Sequence, residues 1–322
     1  MKNIFIKSGK IGLIFAFAAF LTISAFAQTT LRKALDFDGD GKADFSVFRP
    51  DNNVWYISKS NGGFLFQQFG DTVNDYQTPG DYDGDGKSDI AVWRETDGNW
   101  YRINSLDNTF TGVSFGTLGD EPVARDYDND GKTDVAVVRR SNNVMTWYVM
   151  RSTDNSFYGG QFGAASDYTA PGDYDGDGRF DFAVQRPGAN PGDQATFFVL
   201  QSNTNTLLSI PWGVSNDVVV PGDYDGDLKT DIAVVREGAT ENSALTWYIR
   251  RSTDGGLKAV SFGATLTDYT VQGDYDGDGK TDIAVWRDTN GTYYILRSSD
   301  NDFSGAAWGQ LNDFPIASYD TH

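Results

Sequence analysis

The 322-residue chain contains no cysteine and a single histidine, His322, which is its last residue. Without cysteine the protein can have no disulfide, no thiol nucleophile and no lipidated cysteine. With its only histidine at the very end, the chain also lacks the residues for a Ser-His-Asp triad or a histidine-based metal site. Long apolar runs are absent after residue 27, so no membrane span is predicted in the remainder of the chain.

Basic residues are also few, because 26 Lys and Arg stand against 45 Asp and Glu, and the net charge is −19. Binding of phosphates depends on Lys and Arg, so a nucleic-acid partner is not expected. The first 27 residues are typical of a signal peptide, with three lysines, an apolar run over residues 11–20 and an Ala25-Phe26-Ala27 cleavage site. An uncleaved membrane anchor is the alternative. We predict a signal peptide over 1–27, a single domain over 28–322, and a secreted, periplasmic or cell-surface location.

The acidic residues are concentrated in a nine-residue loop that occurs six times. Its clearest copy reads Asp81-Tyr82-Asp83-Gly84-Asp85-Gly86-Lys87-Ser88-Asp89, and loop positions 1 to 9 are counted from the first aspartate. Successive loops start 45, 45, 47, 50 and 51 residues apart, a period typical of propeller blades. The six loops begin at Asp36, Asp81, Asp126, Asp173, Asp223 and Asp274.

The composition of the loop predicts a Ca²⁺ site, because Ca²⁺ takes roughly six to eight hard oxygen ligands from a compact turn. The predicted ligands are the carboxylates at positions 1, 3, 5 and 9 and the main-chain carbonyl at position 7. About six structural ions, one in each loop, are therefore expected. In chain order the predicted ligands are Asp36, Asp38, Asp40, Lys42, Asp44, Asp81, Asp83, Asp85, Lys87, Asp89, Asp126, Asp128, Asp130, Lys132, Asp134, Asp173, Asp175, Asp177, Arg179, Asp181, Asp223, Asp225, Asp227, Lys229, Asp231, Asp274, Asp276, Asp278, Lys280 and Asp282.

Two alternatives to this metal loop are weaker. Plain hairpin turns also favour Asp and Gly, but four carboxylates in nine residues would repel one another without a cation. An EF-hand would carry Glu at position 12, where every copy has valine, as at Val92. The segment after each loop, such as Ile90-Ala91-Val92-Trp93-Arg94, is β-branched and aromatic and predicts a buried strand instead of a helix.

The rest of each repeat predicts three more strands. One strand carries an aromatic pair such as Trp100-Tyr101, the next ends in an aromatic-glycine pair such as Phe115-Gly116, and the last leads into the following acidic loop. Four short strands without helical periodicity predict an all-β fold, a six-bladed β-propeller of four-stranded blades. The aromatic residues are expected in the core between blades.

At this level the chain resembles the FG-GAP or VCBS repeat family, the calcium-binding blades of integrin-α-like propellers. The resemblance rests on the Asp-x-Asp-Gly-Asp-Gly-x-x-Asp loops, the Ile-Ala-Val strands and the Phe-Gly pairs, and it covers residues 36 to about 319. It implies Ca²⁺ in the loop joining the first two strands of each blade, and ligand recognition on the opposite face, as in cell-adhesion and lectin-like members. It implies no catalytic activity. Six repeats instead of seven, and Leu228 in place of the second loop glycine, depart from the family pattern.

The predicted function is that of a monomeric ligand-binding or adhesion module for an extracellular glycan or protein, and not that of an enzyme. A polysaccharide-degrading propeller or a purely structural surface protein are the alternatives. The longest connections on the face opposite the acidic loops, Pro187 to Ala195 and Glu237 to Leu245, are candidates for recognition because variable loops on a repeated scaffold often bind ligands. Neutral surface insertions remain the alternative for these connections.

Strand register adds three geometric expectations. The C-terminal segment from Asp313 to Tyr319 repeats a first-strand pattern and is expected to close the ring against blade 1, in competition with residues 31–35. Counting along the first hairpin places Asp75 beside Arg94, and the same offset predicts an Asp–Arg pair in every blade. Leu228 should require a positive φ angle and weaken the calcium site of blade 5, whereas Asn129 at position 4 of blade 3 is a milder change.

Overall fold

The computed structural model describes residues 35–240 and 243–317, which form six four-stranded antiparallel sheets. The predicted signal peptide and the C-terminal histidine lie outside these residues. Blade 1 contains β1 (Phe45–Arg49), β2 (Val54–Ser58) and β3 (Phe64–Gln68). Blade 2 contains β4 (Asp75–Gln77), β5 (Ile90–Arg94), β6 (Asn99–Ile103) and β7 (Phe110–Ser114). Blade 3 contains β8 (Asp120–Pro122), β9 (Val135–Ser141), β10 (Val144–Met150) and β11 (Phe157–Ala164).

The other three blades repeat this order. Blade 4 contains β12 (Tyr168–Thr169), β13 (Phe182–Arg186), β14 (Gln194–Leu200) and β15 (Leu207–Val214). Blade 5 contains β16 (Val218–Val219), β17 (Ile232–Arg236), β18 (Ala244–Arg250) and β19 (Leu257–Ala264). Blade 6 contains β20 (Asp268–Thr270), β21 (Ile283–Arg287), a single 3₁₀ turn (Asp288–Asn290), β22 (Thr292–Leu296) and β23 (Phe303–Ala307). The predicted all-β, six-bladed propeller is confirmed, and no helix in the described ranges is long and apolar enough to cross a membrane.

The ring closes at blade 1 as the sequence predicts. The last strand, β24 (Phe314–Pro315), pairs antiparallel with β1 and gives the sheet order β24-β1-β2-β3. Leu35 adds a further hydrogen bond to this blade, because its carbonyl accepts the Asp44 N–H at 2.8 Å. In blade 2 the Gly80 carbonyl accepts the Asp89 N–H in the same way. Both ends of the described part of the chain therefore complete the first blade. The rest of the predicted N-terminal competitor, residues 31–34, lies outside the described residues.

The core lies between neighbouring blades, because each sheet buries one side chain of its aromatic pair. Trp55, Trp147 and Trp247 are fully buried, and each indole N–H donates to the carbonyl of the aromatic residue in its own aromatic-glycine pair, at 2.9 to 3.1 Å. The second member of the pair lies on the other face of its sheet and is only half buried, as Tyr56 is in blade 1. The buried member of each aromatic pair thus lies in the core that the sequence predicts.

Candidate functional site

The acidic loops fold around their own first aspartate. In every loop, one carboxylate oxygen at position 1 accepts the N–H of position 4 at 2.6 to 2.7 Å. The other oxygen accepts the N–H of position 6 at 2.8 to 3.1 Å. These bonds require a left-handed turn at both positions, and Gly84 and Gly86 have φ angles of 84° and 89°. The glycines are therefore needed for backbone conformation, as expected.

The loop turn brings carboxylates together. In blades 1 and 2, oxygens of positions 1, 3 and 5 lie within 4.8 Å of one another, and in blades 3, 4 and 5 the same holds for positions 1, 3 and 9. Three of the four predicted carboxylates thus form one cluster in each of these five loops. The clusters are Asp36, Asp38 and Asp40; Asp81, Asp83 and Asp85; Asp126, Asp128 and Asp134; Asp173, Asp175 and Asp181; and Asp223, Asp225 and Asp231.

The electrostatics of these clusters suit a cation. Asp128 Oδ1 and Asp175 Oδ2 are buried and have no hydrogen-bond partner in the described part of the chain. Burial, together with the neighbouring carboxylates, raises the pKa of Asp134 and of Asp181 to about 7. Buried anionic oxygens that lack donors are unfavourable unless a positive charge compensates them. The donor set of hard carboxylate oxygens fits Ca²⁺.

A second turn supports each acidic loop, and the sequence analysis missed it. The turn between the two outer strands carries a serine whose backbone N–H donates to the carboxylate at position 9, at 2.6 to 2.7 Å in all six blades. In blade 2 the Ser105 hydroxyl also donates to Asp85 at 2.9 Å. The signal was present, because a serine recurs at this point of every repeat: Ser60, Ser105, Ser152, Ser202, Ser252 and Ser298.

Neighbouring loops contact one another around the ring. The lysine at position 7 lies against the position-4 glycine of the preceding loop, so a Cβ on Gly84 would come within 2.6 Å of Lys132 Cε. Lys132 Nζ donates to the carbonyl of Asp83 at 2.9 Å. Between blades 3 and 4 both positions change together, and Asn129 donates to the carbonyl of Asp177 at 3.2 Å. The sequence analysis assigned only a carbonyl role to position 7, whereas its side chain also joins blades.

A ring of backbone hydrogen bonds reinforces these contacts. The N–H of position 8 donates to the carbonyl of position 1 in the preceding loop at 2.6 to 2.9 Å, six times around the propeller. The bond from Ala43 to Asp274 joins blade 1 to blade 6 and closes the circle. The conformation of each acidic loop is therefore coupled to that of its neighbours.

The opposite ends of the same hairpins carry the predicted Asp–Arg pairs, and all six are present. Their closest N–O distances are 2.6 to 2.8 Å, and each aspartate side chain is at most 1% exposed. Each arginine also lies over the second aromatic ring of its blade, with the guanidinium carbon 4.0 to 5.0 Å from the ring centroid. The pairs are Arg49 with Asp313, Arg94 with Asp75, Arg139 with Asp120, Arg186 with Asp167, Arg236 with Asp217 and Arg287 with Asp268.

The two long connections begin at this Asp–Arg end, as the sequence analysis places them. The first follows Arg186 and is tied down by a hydrogen bond from the Ser215 N–H to the Asp193 carbonyl at 3.0 Å. The second follows Arg236, and the Gly238 N–H donates to Thr265 Oγ1 at 2.8 Å. Residues 241–242 of this connection lie outside the described residues. Both connections are thus anchored on the turn that leads to the following blade.

Comparison with known proteins agrees with this architecture. A sequence model of the FG-GAP-like repeat matches residues 126–184. The matched segment begins at the third acidic loop, includes the fourth and ends in β13. No curated protein matches the chain.

Similar solved structures are propellers with low sequence identity. An Agrocybe aegerita lectin that recognises non-reducing terminal N-acetylglucosamine is 14% identical, with 87% of this chain and 94% of that chain covered and a TM-score of 0.53. The SapL1 lectin, solved with α-methyl fucoside, is 13% identical, with 87% and 99% covered and a TM-score of 0.50. Virginiamycin B lyase from Staphylococcus aureus is 12% identical, with 90% and 85% covered and a TM-score of 0.47. At these identities the similarity concerns the fold alone.

Proposed function

We propose that the protein is an exported calcium-binding propeller that acts as a ligand-binding module for extracellular glycans. The observation that carries the calcium assignment is the repeated cluster of three carboxylates, with buried oxygens on Asp128 and Asp175 that have no donor. Ca²⁺ would be held by the carboxylates at positions 1, 3, 5 and 9 and the carbonyl at position 7, and it would supply the positive charge that these anions need. Its role is structural, because the ligands lie in turns that join neighbouring blades.

The glycan assignment has a different basis. Two lectins of similar fold, one for N-acetylglucosamine and one solved with a fucoside, support a saccharide as the ligand class. The predicted leader favours an extracellular partner, and the net charge of −19 disfavours a nucleic acid. The two long connections at the Asp–Arg end remain the candidates for recognition by loops.

Two measurements test this function. Calorimetric titration of EDTA-treated protein with Ca²⁺ should show about six bound ions per chain, and Mg²⁺ should bind more weakly because it requires a smaller, more rigid octahedral shell. Asp128→Asn should remove one site, whereas Asp97→Asn, a control in an exposed turn outside the loops, should leave the number unchanged. No calcium binding would contradict the metal assignment.

A glycan array tests the ligand class. Retention of saccharides without their cleavage supports a binding module, whereas turnover of a bound polysaccharide would support the enzyme alternative. Failure to retain any saccharide would contradict the glycan assignment and leave a protein ligand or a purely structural role.

A further inference from the structure

An aromatic surface marks the junction between blades 6 and 1. Phe64 and Phe66 on β3 are 63% and 57% exposed, and Trp308 of blade 6 lies beside them. The Phe64 and Trp308 ring centroids are 5.2 Å apart, those of Phe64 and Phe66 are 6.1 Å apart, and those of Phe66 and Trp308 are 6.4 Å apart. All three ring planes are parallel to within 15°. We call these three side chains the seam aromatics.

An aromatic residue at the Phe66 position is not part of the repeated blade pattern. This residue is paired with the second aromatic of its blade, Tyr56, and in the five other blades the residue at this register position is small. The equivalents are Gly112, Gly159, Ser209, Ala259 and Gly305. Phe66 contacts the Tyr56 ring, with centroids 5.3 Å apart, but more than half of its surface is exposed to water. Exposed apolar patches commonly mark interaction sites.

Polar groups surround the rings. Gln68 lies on the same face of β3, two residues beyond Phe66, and its amide nitrogen donates to the Asn52 carbonyl at 3.1 Å. That bond orients the Gln68 side chain and leaves its amide oxygen as an acceptor. β3 is also an edge strand that pairs with β2 alone, so alternate backbone N–H and C=O groups point outward. The surface therefore combines aromatic rings with hydrogen-bonding groups of both kinds.

We propose that the seam aromatics bind an uncharged saccharide, one of whose sugar rings lies with its apolar C–H face on the exposed phenylalanines. The proposal rests on the ligand-binding function proposed above and assigns it a site. Sugars present apolar faces and hydroxyl edges, which match the rings and the surrounding amide and backbone groups. The strand Phe64–Gln68 carries no charged side chain, and the net charge of −19 disfavours an anionic ligand.

A second copy of the chain is the competing occupant. Stable protein interfaces use about 20 to 30 residues on each side, whereas the seam aromatics are three side chains. The acidic net charge also makes two copies repel each other. Both arguments favour the saccharide.

The test compares the wild type with Phe66→Ala and Phe110→Ala on a printed array of neutral and acidic saccharides. Phe110 is the matched control, because it is 63% exposed on the equivalent strand but has Gly112 where blade 1 has Phe66. Phe66→Ala should weaken the binding of neutral saccharides about tenfold, the size expected for loss of an aromatic contact, and Phe110→Ala should not. Phe66→Ser, which copies Ser209, checks that the result does not depend on the residue introduced.

The outcomes distinguish failure of the proposed site from failure of the proposed ligand-binding function. If the wild type binds saccharides and both variants of Phe66 bind equally well, the site is wrong while the ligand-binding function stands. If the wild type binds no saccharide at all, the proposed function fails as well. If sedimentation shows a dimer that Phe66→Ala converts to a monomer without a change in saccharide binding, the surface is a self-association interface and the proposal is overturned.

Discussion

Leu228 is the one residue with a side chain larger than asparagine at a positive φ angle in an acidic loop of the described chain. Its φ is 71°, close to the 84° to 89° of the glycines at the same position in the other five loops. The Leu228 N–H reaches Asp223 Oδ2 at 3.1 Å, compared with 2.8 to 3.0 Å in those loops. The predicted left-handed conformation is therefore confirmed, and the calcium affinity of this loop stays a prediction.

The magnitude follows from the steric cost of the conformation. A residue with a Cβ reaches the left-handed region at a cost of about 1 to 2 kcal/mol relative to glycine. Bound Ca²⁺ would fix the loop in this turn, whereas the calcium-free loop would be free to relax, so most of the strain would oppose binding. Because about 1.4 kcal/mol is a tenfold change in affinity, Leu228→Gly should tighten the blade 5 site by about tenfold.

Leu266 supplies a matched control for this measurement. It also has a positive φ angle, 64°, and is exposed, but it lies between β19 and β20 and outside every acidic loop. Calorimetric titration should show one weak site in the wild type, which Leu228→Gly brings to the affinity of the others and Leu266→Gly leaves weak. Six equal sites in the wild type, or equal effects of the two substitutions, would refute the strain argument.

Three further predictions concern the contacts that stabilise each blade and join it to its neighbours. Asp75→Ala should lower the free energy of unfolding by about 3 kcal/mol, because it leaves the partly buried Arg94 without its partner, whereas the exposed Asp97→Ala should cost less than about 1 kcal/mol in chemical denaturation. Gly84→Ala should destabilise more than Gly86→Ala, since both have positive φ angles but only Gly84 lies against Lys132, and an equal loss in thermal melting would exclude that contact. EDTA should lower the melting temperature, because an ion present at about 1,000 times its Kd contributes about 4 kcal/mol, and unchanged melting would contradict structural calcium.

The periodic features of this fold were accessible from the sequence. Loop spacing and aromatic pairs predicted six four-stranded blades, and residue counting along one hairpin predicted all six Asp–Arg pairs, including the closing pair of Arg49 and Asp313. These predictions succeed because a β-hairpin with a fixed loop has a fixed register, so one copy determines the others.

Contacts between separate turns of a blade and contacts between repeats were harder to predict. The Ser105 N–H donates to Asp89, 16 positions earlier, and the Ser105 hydroxyl donates to Asp85, 20 positions earlier. The number of residues between the serine and the loop varies from blade to blade. The contact of Lys132 with Gly84 joins two blades, and neither residue type indicates it alone. Three of the four predicted carboxylates converge in each of the five loops for which a cluster is defined, and the full set of predicted ligands stays a prediction. The serine contact depends on how the outer turn of a blade folds against its own acidic loop, and the lysine contact depends on how neighbouring blades pack. The loop spacing indicates neither.

The hairpin formed by the first two strands of each blade is held by contacts at both of its ends. The inner strand is only two residues long in blades 1, 4 and 5, so it contributes few backbone hydrogen bonds of its own. At one end, the acidic loop holds this strand to the next blade. At the other end, the buried carboxylate of the Asp–Arg pair accepts hydrogen bonds from the guanidinium and from a backbone N–H that precedes the strand. Asp217, for example, accepts hydrogen bonds from Arg236 and from the Val214 N–H. Loss of calcium would release the first end and leave the second. On loss of Ca²⁺ the ring is therefore expected to loosen on the acidic face, while the Asp–Arg pairs hold the opposite face.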